Sequence, residues 1–115
     1  MPDNSITSII TVEMLQSLKH DIMSCAEFCS IIDEIGQPSD LTASLDTARA
    51  VLCNLRDNHV VIGDLSKQHL GTLHVSPWKA GGNEVIEKAM ADLRNFKMLP
   101  QLGDGFWLQK EAGAL

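Results

Sequence analysis

Leu15, Leu18, Ile22, Cys25, Cys29 and Ile32 recur at steps of three and four, the period of one helix face. A stretch patterned in this way has to bury that face, so an amphipathic helix over residues 15–32 constrains whatever packs against it. Phe28, Ile31 and Ile35 widen the apolar face in its second half and require cover from more than one neighbour. Thr7 or Thr11 can cap the start by offering a side-chain oxygen to free backbone N–H groups. Gly36 supplies a left-handed stop near residue 35, and Pro38 stands where a proline commonly follows a finished helix.

Ser39, Asp40 or Thr42 restarts a helix in which Leu41, Leu45, Ala48, Leu52 and Leu55 repeat the same spacing, ending near Asp57 and Asn58. A connection of about five residues brings this helix back along the first as an antiparallel hairpin. Val60, Val61 and Ile62 form a β-branched run too short to separate a buried turn from a lone strand, and are read as buried connection. Asp64 then caps a shorter helix carrying Leu65, Leu70 and Leu73, in which Gly71 costs about 1 kcal/mol relative to Ala. Ser76-Pro77 ends it, because the residue before a proline is pushed out of the helical region. Asn83 caps a last helix that buries Ile86, Ala89 or Met90, Leu93 and Phe96, with Glu84 in its first turn and Lys88 four residues on. Pro100, Gly103 and Gly105 leave Phe106, Trp107 and Leu108 in an irregular tail. The expected fold class is all-α: a small helical bundle of about four helices built on the N-terminal hairpin. It is expected to be one domain over residues 1–115, frayed at 1–6 and over the last few residues.

The functional reading starts from charge. A net charge of −6 without a run of Lys and Arg repels phosphate backbones and excludes nucleic acid as the expected partner. There is no basic segment ahead of an apolar stretch and no run of about eighteen apolar residues, so the expectation is a cytoplasmic protein with no membrane span. Three cysteines are an odd count, and two lie on the apolar stripe, as reduced core thiols do. With Cys53 and one of His20, His59, His69 or His74 they could close a zinc site, but their register with leucine and isoleucine favours packing, so neither metal nor cofactor is expected. No G-x-S-x-G, P-loop or G-x-G-x-x-G is present, and no enzyme is expected. Gly81-Gly82-Asn83 ahead of a helix resembles an anion-binding start, which the Glu84 carboxylate opposes. Trp78, Phe106 and Trp107 fall outside the predicted helices and are candidate anchors for a protein partner. Asp57, Asp64, Glu84 and Glu87 are candidates for an acidic face meeting a basic one.

Leu70-Gly71-Thr72-Leu73-His74-Val75 is similar to a leucine, glycine, small, aliphatic, alanine, valine stretch in a known family. Ahead of it stand an amphipathic helix over 41–55 and a short connection with Asp64; after it come a brief loop and a second amphipathic helix over 83–96. Across about half the chain, this layout resembles the small immunity proteins that neutralise NAD(P)+ glycohydrolase toxins delivered by bacterial type VI secretion. His74 stands where that family has alanine, and Ser76-Pro77-Trp78 replaces a more acidic link. The resemblance implies a non-enzymatic helical antidote that binds its cognate toxin and obstructs the active site, with no catalytic residue to carry over. The alternative reading is a helical adaptor or secretion chaperone that forms a homodimer through an apolar stripe.

Overall fold

The computed structural model describes residues 4–67 and 73–111. In chain order these are α1 (Asn4–Leu18), β1 (Met23–Ser24), α2 (Cys25–Ile31) running into a π-helical turn (Ile32–Gly36), α3 (Leu41–Asp57), β2 (Val60–Lys67), β3 (Leu73–Pro77), α4 (Gly82–Asn95) and β4 (Trp107–Lys110). The strands form one antiparallel sheet in the order β1-β4-β2-β3. The all-α expectation is therefore overturned: the fold is mixed, with four α-helices and a four-stranded sheet among the described residues.

The 15–32 pattern does not form one helix. The backbone leaves the helix at Leu18 and turns through Lys19, His20 and Asp21, where the Asp21 carboxylate accepts the Ile22 N–H at 2.8 Å. It then starts again at Ser24, whose hydroxyl accepts the Glu27 N–H at 3.1 Å as an N-cap. Ser24 with Glu27 is the capping-box pair that marks a new helix start. Leu18, Cys25, Cys29 and Ile32 are all buried even so, because the two helices present their apolar sides to one core. The left-handed stop falls on Gln37 (φ 44°) instead of Gly36. α3 starts at the Asp40 cap, which accepts the Ala43 N–H at 2.8 Å, and buries Ala48, Val51, Leu52 and Leu55. It is tied to α1 by Asn54 donating to the Thr11 hydroxyl at 3.2 Å.

The largest correction lies between α3 and α4. Val60, Val61 and Ile62 open β2, and the helix expected from Asp64 onward is instead the rest of β2 and then β3. Leu70 and Gly71 lie outside the described residues, whereas Leu73, His74 and Val75 sit on β3. The helix–connection–helix layout implied by the resemblance thus gives way to helix, β-hairpin and helix. The apolar tail 106–108 is no tail either. Trp107 and Leu108 belong to β4, which lies between β1 and β2. Met23, Leu108 and Ile62 line up across the three strands in register, each at most 4% exposed, and form the sheet's contribution to the core. Phe106 packs edge-on against Phe28 at 5.4 Å between ring centroids.

Gly63 is the residue that permits this sheet. It pairs with Trp107 on one side and Pro77 on the other. A Cβ there would overlap the Ser76 carbonyl oxygen and lie 2.7 Å from its carbon. Only glycine allows so close a backbone approach. Gly105, at φ +76°, plays a similar part before β4, since a Cβ would stand 3.0 Å from the Cys25 sulfur. Among the described residues no helix is long and apolar enough to cross a membrane.

Candidate docking groove

A groove of about 390 Å³ opens between α2, the start of α3 and the chain that follows α4. Ala26, Cys29 and Ser30 come from α2, Asp33 from the π-helical turn, Asp40, Leu41 and Ser44 from the start of α3, and Lys97, Met98, Leu99 and Pro100 from the segment after α4. Such a volume suits one or two side chains of a partner or a small ligand. α4 ends with the Phe96 N–H on the Asp92 carbonyl (3.0 Å), the Lys97 N–H on Arg94 (3.1 Å) and the Met98 N–H on Leu93 (2.9 Å). The last of these reaches back five residues, as in a Schellman-type close.

Two consecutive non-glycine residues in this turn are left-handed, Lys97 at φ 53° and Met98 at φ 61°. That conformation costs an L residue about 1–2 kcal/mol, and such strain concentrates where a protein works. Here it separates neighbours that would otherwise share a fate. Met98 is driven into the core at 7% exposure, while Leu99 projects to 82%. Leu102 is equally exposed, and Leu41, on the facing wall of the groove, is 42% exposed.

Of the three cysteines, Cys29 lines the groove. Cys25 and Cys29 are buried and free, and Cys53 is half-buried on α3. A hydrogen bond with Cys29, followed by burial, pushes the Cys25 thiol well above its usual range, so it stays protonated. Among the described residues no three His, Cys, Asp or Glu side chains converge on a metal-sized site; His69 lies outside them.

The residues that sequence reasoning selected fall elsewhere. Asp57 is exposed at the end of α3, 3.3 Å from the Arg56 guanidinium. Glu84 is exposed in the first turn of α4, whose N-cap is Gly81 and not Asn83. Glu87 is exposed on the same helix and paired with Arg49, whose guanidinium holds the carboxyl below its usual range. Asp64 is exposed on β2 opposite Ser76.

Trp78 is half-buried against the core under the Lys88 ammonium, 4.2 Å from the ring centroid, a cation–π arrangement. Its indole N–H is buried and meets no acceptor among the described residues. Phe106 is fully buried and Trp107 half-buried in β4, so neither of these is an exposed anchor. Lys88 also faces Asp92, whose carboxyl is raised above its usual range by burial, with the Lys88 ammonium opposing the rise and Asp64 adding to it.

No protein-family model, curated protein or solved structure matches this chain. The groove residues themselves escaped the sequence reading. One signal was available: Leu99 and Leu102 flank Pro100 in a stretch too irregular to bury them.

Proposed function

We propose that this chain is a protein-binding domain that acts by stoichiometric docking, with the groove and the Leu99 lip as its contact. The observation that carries the reading is Leu99, a large apolar side chain 82% exposed beside an apolar-walled groove, on a turn held there at the expense of two strained residues. Leu99 and Leu41 both line the groove, and exposed apolar surface that clusters in this way marks interaction sites. The chain's acidity supports the same reading, because a net charge of −6 speeds encounter with a basic partner.

Within this class the form to test first is an antidote that covers the working surface of a cognate toxin. Coexpression with the product of an adjacent gene, followed by size-exclusion chromatography with light scattering, provides the test. A one-to-one complex, together with relief of that product's toxicity, is expected for the native chain and is expected to be lost in Leu99→Ser. A complex indifferent to Leu99 would overturn the assignment of the groove, and no complex with any neighbouring product would overturn the docking function.

A second reading has its own observation. Ile9 and Val12, one turn apart on α1, are 51% and 53% exposed and could join two copies as an adaptor dimer. A dimer in the absence of any partner, dispersed by Val12→Glu, would favour that reading.

A further inference from the structure

We infer that the groove takes an apolar segment of a partner protein that carries a Lys or Arg beside its anchoring side chain. This rests on the docking reading above and narrows its partner. Ala26, Leu41, Met98, Leu99 and Pro100 give the lining enough apolar surface to favour an apolar anchor. Its charges are unbalanced, with two carboxylates, Asp33 and Asp40, against the single ammonium of Lys97. Among the described residues neither Asp33 nor Lys97 has an ion pair. Asp40 uses one carboxylate oxygen to accept the Ala43 N–H and keeps the other.

The two carboxylates stand at exposed positions on separate elements that meet at the groove. Asp33 sits in the π-helical turn, which closes where the Gln37 N–H meets the Asp33 carbonyl at 3.1 Å, and Asp40 is locked as the cap of α3. A cation arriving beside an apolar anchor meets two carboxylates with free acceptor oxygens, and the net charge of the chain draws it in. The other exposed edge offers less. On β3 the Val75 N–H, which an added strand would need, is already taken by the Gln109 side-chain oxygen at 2.9 Å.

The test titrates the isotopically labelled full chain with three synthetic helical peptides of equal length, built from Leu with Lys, Leu with Gln, or Leu with Glu. The Leu/Lys peptide is expected to shift the amides of Ala26, Asp33, Leu41 and Leu99 in nuclear magnetic resonance spectra. At low salt it should bind at least about fivefold more tightly than Leu/Gln, with the margin shrinking as salt is added. The double variant Asp33→Asn with Asp40→Asn keeps the helix cap, since Asn caps as well as Asp. It should erase the margin and leave Leu/Gln binding unchanged. Equal binding of Leu/Lys and Leu/Gln in the groove would sink the charge preference and leave the docking reading standing, and Leu/Lys shifts confined to α4 would sink the charge preference too. Failure of all three peptides to move the groove amides, or binding unaffected by Leu99→Ser, would remove both.

Discussion

The two ends of α4 are built on opposite principles. At its start several side chains are tied down. Arg56 donates to the Gly82 carbonyl and to the Asn83 side chain at 3.2 and 3.3 Å, Arg49 pairs with Glu87, and Lys88 covers Trp78. At its far end the chain spends backbone strain on Lys97 and Met98, leaves Lys97 without an ion pair among the described residues, and turns Leu99 outward. One helix thus anchors the fold at one end and presents a surface at the other. The proposed docking surface rests on strain and exposure occurring together at this second end.

Gly63→Ala breaks the closed side most severely. Its Cβ has no room against the Ser76 carbonyl, so β3 must shift and take with it the Trp78 backbone N–H, which donates to the Ile62 carbonyl at 3.2 Å. A loss of about 3 kcal/mol or more is expected in urea denaturation. Lys97→Gly sharpens the contrast from the open side: removing the left-handed penalty outweighs the added chain entropy and should stabilise the fold by about 1 kcal/mol in the same denaturation, while the rigid display of Leu99 is lost.

Asp92→Asn is expected to act more weakly. Burial raises this carboxyl, so the folded state favours the protonated form. The penalty on folding is absent below the unfolded value near 3.8 and grows as pH rises through the folded one. The variant should therefore gain a few tenths of a kcal/mol at neutral pH, an effect reduced by solvent screening, and lose the gain in acid. Thermal unfolding across a pH series measures it. Leu99→Ser should have the smallest effect on stability, within about 0.5 kcal/mol, because the side chain buries almost nothing in the isolated chain. A large destabilisation would mean that Leu99 serves the fold and not a partner.

α3 and α4 were legible because each carries its own buried stripe at helical spacing, with the Asp40 cap before the first and Ile86, Ala89, Met90 and Leu93 along the second. The break at Leu18 was legible in principle, since Ser24 and Glu27 form a capping pair, but the apolar period on either side masked it. The sheet was harder. Val60 and Ile62 bury one face in the alternation of a strand, yet their partners Lys110 and Leu108 stand more than forty residues away, and local spacing carries no trace of such a pairing. Leu65, Leu70 and Leu73 then satisfied a loose helical period and tipped the reading the wrong way. The groove was invisible for a related reason. Left-handed backbone is expected at Gly or Asn, and nothing in Lys97-Met98 announces it.

The position of β4 sets the order in which this molecule can be made. The strand that holds β1 and β2 together comes at residues 107–110, behind every other described element. A ribosome that has delivered everything as far as α4 has delivered a hairpin with one side of β2 unzipped and a two-residue β1 with nothing to pair with. The sheet closes only when the last strand emerges, so nascent chains should need shielding up to that moment and acquire protease resistance abruptly after it.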